Sequence, residues 1–551
     1  MKRALFFSLI ILWGGLRAQT YEELVSRLSD LLQPVTAGTK EYEQNLEMSD
    51  KGNLRYTLVQ TDNKGKTKTV VYEFNFADMD PHTVRAAAQR DVISVSVSAD
   101  KLQKLILKNY DDDKIAYVTK LNFYATDMEN GRRIAETVKQ LIPLSRKLIE
   151  RRLSLSGYDD RMNWLISQTG SAESGDKRIE QSLQKGIYPG SVIYTKNFTG
   201  NKSDKSYTYS FNLGMLDPRK LRFEIKDNMF TVAMETTRQK KLIKQVNNAT
   251  GAVSYVSKIN MAAKDIEQGR NLKKVLEDII PLAKEKFDNK IPRISSAEQG
   301  YEILNKSAAE ASTDKLQYAQ SFEGNCIMRL NQTLTSNNAS DENLYIFNLA
   351  DINSKGTEMS VKNGILTIKL PAKNNNKFIR HEKNGELQSY KSEIHVAVPQ
   401  AEEGYITRSV LKQMAEKCMA KKPKTLSVSE AVDILKNTAR EVSSGNIIYE
   451  QEITVDPDEK KLEFKKTVSD GKTVKEYLYE VSLDDLNPKS LEIVVSGKKV
   501  AVIAKTKHME KAVKSYKDGK VLPYQNKIEI MAGDVNEARK IKRALHTLIK
   551  P

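Results

Sequence analysis

The feature that most constrains this fold is a short tyrosine-led stretch that occurs four times in the 551-residue chain. The leading tyrosines are 137, 136 and 134 residues apart. Three copies end in an Asp-Pro or Asn-Pro turn, where proline stops a strand and fixes the turn backbone. A period of this length predicts four tandem copies of one domain. The leading residues are Tyr72, Tyr209, Tyr345 and Tyr479.

Domain boundaries follow from the same period. Three of the copies end in a clear amphipathic helical pattern, and after each copy the chain becomes polar or meets a proline. The linkers are short, so neighbouring repeats are expected to touch. We predict repeat 1 at residues 19–152, repeat 2 at 153–289, repeat 3 at 290–423 and repeat 4 at 424–551.

The pattern inside one repeat predicts an α+β domain. A short helix comes first and about seven antiparallel strands follow. Ile93, Val95 and Val97 alternate with serines, which is the period of a half-buried strand. The closing helix of repeat 1 has one apolar stripe that includes Ile134 and Val138, and this stripe must pack on the sheet.

A second tyrosine recurs in the predicted seventh strand. We interpret both tyrosine series as framework residues that pack across strands and use the phenol as a hydrogen-bonding group. Functional residues are then expected where the copies differ. The second series is Tyr117, Tyr255, Tyr390 and Tyr524.

Seven strands in meander order and one closing amphipathic helix resemble the pleckstrin-homology-like superfold in strand order. The resemblance implies a curled antiparallel sandwich with the helix closing one end, in all four repeats. The helix at the start of each repeat departs from the simplest version. Members of that superfold bind inositol lipids, peptides or proteins, and many only scaffold, so the resemblance implies no particular ligand.

The N-terminus predicts export. Lys2 and Arg3 precede a short apolar run at residues 4–13, and Ala18 suits a cleavage position. Residues 1–18 are therefore predicted as a signal peptide, with an uncleaved N-terminal anchor as the alternative. The run is too short to span a bilayer, and no other apolar run reaches 18 residues. We expect a mature chain without a transmembrane segment, in the periplasm or at the cell surface.

The net charge of +17 is spread along the chain. The largest excess is in repeat 2, with 22 basic and 16 acidic residues. Nucleic-acid-binding proteins gather lysine and arginine on one face or arm, so no nucleic-acid partner is predicted. Weak attraction to an anionic surface stays open.

Both cysteines lie in repeat 3. Cys326 shares a strand face with Met328 and Leu330, and Cys418 extends the apolar stripe of the closing helix. A strand-to-helix disulfide is therefore reasonable in an exported protein. Two separate buried thiols are the alternative.

No catalytic, cofactor-binding or metal-binding residue is predicted. The five histidines lack metal-ligand spacing. The acidic pairs Asp78/Asp80 and Asp484/Asp485 suit turn and cap chemistry better than a calcium loop. The common motifs for a serine nucleophile, a zinc protease, a P-loop or a dinucleotide site do not occur.

We therefore expect an exported, non-enzymatic binding or scaffolding protein of the bacterial cell envelope, with a protein or envelope component as partner. Tandem weak sites gain from multivalency, and a sheet edge beside the closing helix offers strand addition. One alternative is a basic binder of anionic lipid or polysaccharide. Another is a hydrolase with a site between repeats, which requires carboxylates of perturbed pKa. The oligomeric state is not determined by the sequence.

Overall fold

The computed structural model describes most of the chain. The predicted signal peptide lies outside the described residues. Within the described residues, every helix is too short or too polar to cross a membrane. The described residues are 19–49, 51–111, 114–174, 177–200, 204–226, 229–313, 315–336, 339–420, 424–438 and 440–550.

The described residues form two compact units. Repeat 1 lies in unit 1, repeats 3 and 4 lie in unit 2, and the chain of repeat 2 passes through both. Unit 1 takes its residues from Met1–Thr208, Leu213–Gln239 and Lys258–Glu285, and unit 2 takes its residues from Tyr209–Asn212, Lys240–Ser257 and Lys286–Pro551.

Repeat 1 begins with a capped helix. The Thr20 side chain accepts a hydrogen bond from the Glu23 backbone N–H, and the Glu23 carboxylate accepts one from the Thr20 N–H. The elements are α1 (Tyr21–Leu31), β1 (Val35–Ala37), β2 (Lys40–Met48), β3 (Leu54–Asp62), β4 (Thr67–Phe74), β5 (Arg85–Gln89), β6 (Val92–Ser98), β7 (Ile106–Tyr110), β8 (Ile115–Val118), β9 (Lys120–Ala125) and α2 (Met128–Leu153).

Nine strands of repeat 1 form two antiparallel sheets. The larger sheet has the order β1-β2-β3-β4-β7-β8, and the smaller has the order β5-β6-β9. A seven-strand meander is therefore wrong in count and in order. The expected seventh strand is two strands, because the chain leaves the larger sheet after Val118 and enters the smaller one at Lys120.

Repeat 2 follows the same order of elements. Its larger sheet runs in the same sequence of strands, and its smaller sheet again has three strands. The elements are α3 (Gly157–Gln168), β10 (Ala172–Ser174), β11 (Lys177–Lys185), β12 (Ser191–Thr199), β13 (Lys205–Asn212), β14 (Arg222–Lys226), β15 (Met229–Glu235), β16 (Ile243–Asn247), β17 (Val253–Val256), β18 (Lys258–Ala263) and α4 (Ile266–Asp288).

Repeat 3 has the same two sheets, with a very short edge strand at the position of β8. The elements are α5 (Ala297–Ser307), β19 (Glu310–Ser312), β20 (Leu316–Gly324), β21 (Ile327–Ser336), β22 (Ala339–Asn348), β23 (Glu358–Lys362), β24 (Ile365–Pro371), β25 (Arg380–Lys383), β26 (Glu386–Leu387), β27 (Glu393–Ala397) and α6 (Ala401–Ala420).

Repeat 4 starts with a second capping box, formed by Ser427 and Glu430. Its sheets repeat the order seen in repeat 1. The elements are α7 (Val428–Asn437), β28 (Glu441–Ser444), β29 (Ile447–Asp456), β30 (Lys461–Ser469), β31 (Val474–Ser482), β32 (Glu492–Ser496), β33 (Lys499–Lys505), β34 (Val513–Lys517), β35 (Lys520–Gln525), β36 (Lys527–Ala532) and α8 (Val535–Ile549).

The closing helix covers the core, as its apolar stripe predicts. Ile134, Val138 and Leu141 of α2 are fully buried, as is Phe123 of β9. Burying each such side chain away from water stabilises the folded state by about 1.5–3 kcal/mol. The coarse architecture is therefore mixed α+β, with a six-stranded and a three-stranded antiparallel sheet repeated four times, consistent with four tandem domains.

One glutamine in each repeat joins the larger sheet to the smaller. The Gln451 side chain donates to the Met531 carbonyl at 3.1 Å and accepts from the Met531 N–H at 2.8 Å. The side-chain amide therefore takes the place of a neighbouring strand and supplies hydrogen-bond partners for the backbone N–H and carbonyl of the last strand of the smaller sheet. The equivalent contacts join Gln44 to Tyr124, Gln181 to Ala262 and Gln320 to Ala397.

Repeat 3 contains a disulfide. Cys326 stands immediately before β21, Cys418 lies in α6, and their Sγ atoms are bonded with the Cα atoms 5.5 Å apart. The two residues are 92 positions apart in the sequence. Restricting a loop of this length in the unfolded chain contributes about 4–5 kcal/mol in the chain-entropy account.

Candidate functional site

Three of the leading tyrosines, Tyr72, Tyr345 and Tyr479, stack on aromatic rings of their own repeats. The Tyr72 ring stacks on Tyr56 with centroids 5.9 Å apart, and the Tyr479 ring stacks on Phe464 at 5.7 Å. Tyr345 stacks on His381 at 4.7 Å. These cross-strand contacts are of the kind expected of framework residues.

The second tyrosine series lies at the junctions between repeats. Tyr117 packs edge-to-face on Phe230 of repeat 2, with centroids 5.7 Å apart. Burial raises the pKa of Tyr255 to about 12, and a hydrogen bond from the Leu366 backbone of repeat 3 opposes that shift. The Tyr390 N–H donates to the Gly497 carbonyl at 3.0 Å, and the Tyr390 side chain belongs to the core of repeat 4. Tyr117, Tyr255 and Tyr390 therefore each contact the repeat that follows.

An aspartate–arginine pair occurs at equivalent places in both units. In unit 1 the Asp78 carboxylate accepts from Arg270 Nε and Nη2, both at 2.8 Å. In unit 2 Asp351 pairs with Arg539, whose guanidinium also lies 5.7 Å from the Phe378 ring centroid. The two parallel bonds of the Asp78–Arg270 pair fix the relative position of the two side chains and strengthen the contact between them.

The equivalence is defined by position in the fold. Each aspartate is the last residue of a 3₁₀ turn, at Phe76–Asp78 and Leu349–Asp351. Each arginine stands five residues after the aspartate that caps its helix, as Arg539 does after Asp534. The turn-and-cap interpretation holds for Asp80, which accepts from the His82 N–H at 2.9 Å, whereas Asp78 instead pairs with an arginine.

A turn of two left-handed residues contributes to the junction of repeats 1 and 2. Lys101 and Leu102 both have positive φ, 52° and 54°, and the same pair of left-handed residues follows the second strand of every smaller sheet. Non-glycine residues adopt this conformation at a cost of roughly 1 kcal/mol each. In unit 1 the turn places Lys101 Nζ 3.2 Å from the Arg219 carbonyl. The other pairs are Arg238/Gln239, Asn374/Asn375 and His508/Met509.

The cleft around Asp78 in unit 1 has about 300 Å³ of space. Its acidic groups are matched by bases. Lys273 Nζ lies 3.6 Å from the Asp100 carboxylate, and Lys274 Nζ lies 2.9 Å from that of Glu150. Paired charges of this kind hold two surfaces together, so we assign the cleft to the junction of repeats 1 and 2.

A larger groove lies on the six-stranded sheet of repeat 4, with a volume of about 600 Å³. Acidic and basic side chains line it in equal number, together with two tyrosines. Charge therefore gives it no preference for a purely anionic ligand. The lining residues are Arg440, Glu450, Gln451, Glu452, Lys465, Lys466, Thr467, Glu476, Tyr477, Leu478, Tyr516 and Gly519.

Strand register explains how the groove is assembled. Glu452 pairs with Lys465, Lys465 with Leu478, and Leu478 with Tyr516. Paired residues of an antiparallel sheet project from the same face, so these four form one row across four strands. Glu450, Thr467 and Glu476 form the adjacent row.

The same row carries different side chains elsewhere. In repeat 1 it is Asn45, Thr57, Val71 and Asn109, and in repeat 3 it is Ser321, Asn331, Leu344 and Glu382. The lysine and the tyrosine of the groove row have no counterpart in these two repeats. The groove thus lies where the copies differ, as expected of a functional site. Aligning the strands from the leading tyrosine shows these differences in the sequence, but the pairing of strands was needed to show that they form one row.

Lys466 lies beneath the groove row. Its Nζ is 5.7 Å from the Phe464 ring centroid and 5.6 Å from that of Tyr479, within the range of cation–π attraction. Burial lowers the pKa of Lys466, and burial likewise lowers the pKa of Lys196 at the same position in repeat 2. Repeat 1 has Leu58 at this position.

The histidines of repeat 3 occupy polar pockets. His381 Nε2 is 2.8 Å from Asn343 Oδ1, and burial lowers the pKa of His381. Burial also lowers the pKa of His395, which lies 3.6 Å from the Glu393 carboxylate. Across the residues that the structure describes, histidine, cysteine and acidic side chains form no cluster of three that could hold a metal ion.

Comparison with known proteins finds no match: no protein-family model, no curated protein and no solved structure matches this chain.

Proposed function

We propose that this chain is an exported, non-enzymatic binding protein of the bacterial cell envelope, in which four tandem repeats form a scaffold and the groove of repeat 4 holds a ligand. The observation that carries the proposal is the contrast between a framework kept in every repeat and a groove row that becomes charged and aromatic in repeat 4. The Cys326–Cys418 disulfide supports export, because disulfides persist in oxidising compartments.

The chemistry of the groove fits a polar, extended peptide segment. Lys465 and Arg440 offer donors for carboxylates and carbonyls, and Glu450 and Glu452 offer acceptors for backbone or lysine N–H groups. Tyr516 adds an apolar surface with a polar end. A peptide of mixed charge uses all of these groups, whereas an anionic lipid or polysaccharide would face the glutamates.

Site-specific photo-crosslinking tests the groove. A photoreactive amino acid replaces Leu478 in the groove row, and a matched chain carries it at Leu344, the same position in repeat 3. With a random peptide library we expect adducts at position 478 and few at 344. Lys465→Glu should reduce the yield at 478, because it removes the central donor of the row.

Equal labelling at positions 478 and 344 would show that the groove is not selective, and no labelling at 478 would remove the peptide proposal. The two chains differ only in the position of the probe. Both leucines are half-buried, so the two probe positions are comparable in burial.

At the level of fold we propose a pleckstrin-homology-like arrangement for each repeat. Two antiparallel sheets with a closing C-terminal helix support it. The return of β7 and β8 to the larger sheet departs from a simple meander. A crystal structure of the chain, superposed repeat by repeat on members of that superfold, tests the proposal.

A further inference from the structure

The junctions between repeats share one geometry. A tyrosine of the second series, in or just after the edge strand of one repeat's larger sheet, reaches the hairpin formed by the first two strands of the next repeat's smaller sheet. Tyr117 meets Phe230 in β15, and Tyr255 is hydrogen-bonded to the backbone of Leu366 in β24. Tyr390 bonds to Gly497 in the turn between β32 and β33. Repeats are therefore joined head to tail through the same two surfaces.

In repeat 4 the first surface, the one that carries the tyrosine, is exposed to solvent. Tyr524 is 49% exposed, whereas its counterpart Tyr390 is 3% exposed. Asp485, the last residue of the 3₁₀ turn Leu483–Asp485, is exposed, although its counterpart Asp78 is buried.

In repeat 1 the second surface, the one formed around the hairpin of the smaller sheet, is exposed to solvent. Arg132 stands five residues after the capping residue Asp127, the position of Arg270 and Arg539, and it is exposed. Beside it lies a cleft of about 470 Å³, lined in part by Ala86 and Met128. Ala86 occupies the position of Phe223, which lines the cleft of the first junction.

We propose that two copies of this chain associate head to tail, with the Tyr524 face of repeat 4 docking on the Arg132 face of repeat 1 of a second copy. Asp485 and Arg132 form the ion pair that Asp78 and Arg270 form within one chain. The two surfaces differ from each other, so the contact is heterologous and builds rings or open filaments. The proposal does not depend on the groove of repeat 4 or on its ligand.

Sedimentation velocity of the full chain over a concentration series tests the association. We expect the average mass to rise with concentration for the unmodified chain. Asp485→Arg should weaken association by about tenfold or more, because it sets two like charges against each other. Arg132→Asp should do the same from the other side. Tyr524→Ala should also weaken association, because it removes the aromatic contact.

A charge-swap mixture identifies the surfaces. Chains carrying Asp485→Arg and chains carrying Arg132→Asp should associate when mixed, because each then meets an opposite charge. Asp433→Arg, on the exposed side of α7, changes the charge by the same amount and should leave association unchanged. A chain that stays monomeric at its highest soluble concentration overturns the proposal. So does association that the Asp485 and Arg132 variants do not weaken, or that the mixture does not restore.

Discussion

Tyr390 and Tyr524 occupy the same position in repeats 3 and 4, but their surroundings differ. Tyr390 is 3% exposed and packs with the core of repeat 4, and Tyr524 is 49% exposed on an edge strand. Local sequence therefore sets where the tyrosine stands, and the presence of a neighbouring repeat sets whether it is buried. A recurrent residue can thus belong to the interface of a repeat and not to its interior.

The arginines show the same contrast. The side chain of Arg270 is 11% exposed and paired with Asp78, whereas Arg132 is exposed at the equivalent helix position. Buried forked pairs fix geometry, but a lone surface arginine has little effect on stability. The comparison separates junction positions, whose effect depends on the neighbour, from framework positions, whose effect does not.

The tyrosines give the largest expected difference. Tyr390→Ala should lower the free energy of unfolding by about 3–5 kcal/mol, because it empties a buried aromatic site. Tyr524→Ala should change it by less than about 0.5 kcal/mol. Calorimetry of both variants, with amide hydrogen exchange in β32 and β33, checks this. An equal decrease in the free energy of unfolding in the two variants would contradict the contrast between a buried Tyr390 and an exposed Tyr524.

The arginine pair should give the next effect. Arg270→Met should lower the free energy of unfolding of unit 1 by about 3 kcal/mol, because Asp78 is left buried without its counter-charge. Arg132→Met serves as the matched control and should have almost no effect. Adding Asp78→Asn to the Arg270 variant should recover part of the loss. Urea unfolding measures all three.

Framework positions should behave alike in every repeat. Gln320→Ala and Gln451→Ala should each lower the free energy of unfolding by about 2 kcal/mol, because a buried backbone N–H and carbonyl lose their partner. Residue-resolved hydrogen exchange at Ala397 and Met531 follows the two sites. A large effect in one repeat and none in the other would show that these glutamines depend on their neighbours after all.

A pH effect confined to repeat 3 should be the smallest. Burial holds the pKa of His381 below 6.5, so the unfolded chain takes up a proton at a higher pH than the folded chain does. Stability is therefore full above pH 6.5 and falls as the pH drops through that value toward the folded pKa. His381→Asn should remove the His381 share of this decline between pH 7 and pH 5 in thermal melts, and the share of His395, whose pKa burial also lowers, should remain. Repeat 4 has Ser515 at this position and should show no such decline.

Several parts of the fold could be predicted from the sequence. The period of the leading tyrosines predicts four copies, and the stripe at Ile134 and Val138 predicts a helix that covers the core. The number of strands was wrong by two: the three-residue strand β1 was missed, and the break at Thr119 lies inside one continuous β-like pattern. The domain boundaries and the signal peptide stay predictions.

The candidate groove could be predicted only in part. The sequence shows that Lys465 and Tyr516 differ from their counterparts, but they are 51 positions apart and lie on non-adjacent strands. Their position in one row depends on the pairing of β30, β31 and β34. Sequence periodicity carries the direction of a side chain within a strand and not the identity of its neighbour across the sheet.

The sequence by itself determined the repetition, the mixed α+β class and the buried faces, because these depend on residues close together along the chain. Only the tertiary structure decided that Tyr390 belongs to a junction while Tyr524 is exposed, and that Asp78 meets Arg270 across 192 positions of sequence. These contacts depend on how whole surfaces pack, and two copies of the same local sequence can have different neighbours.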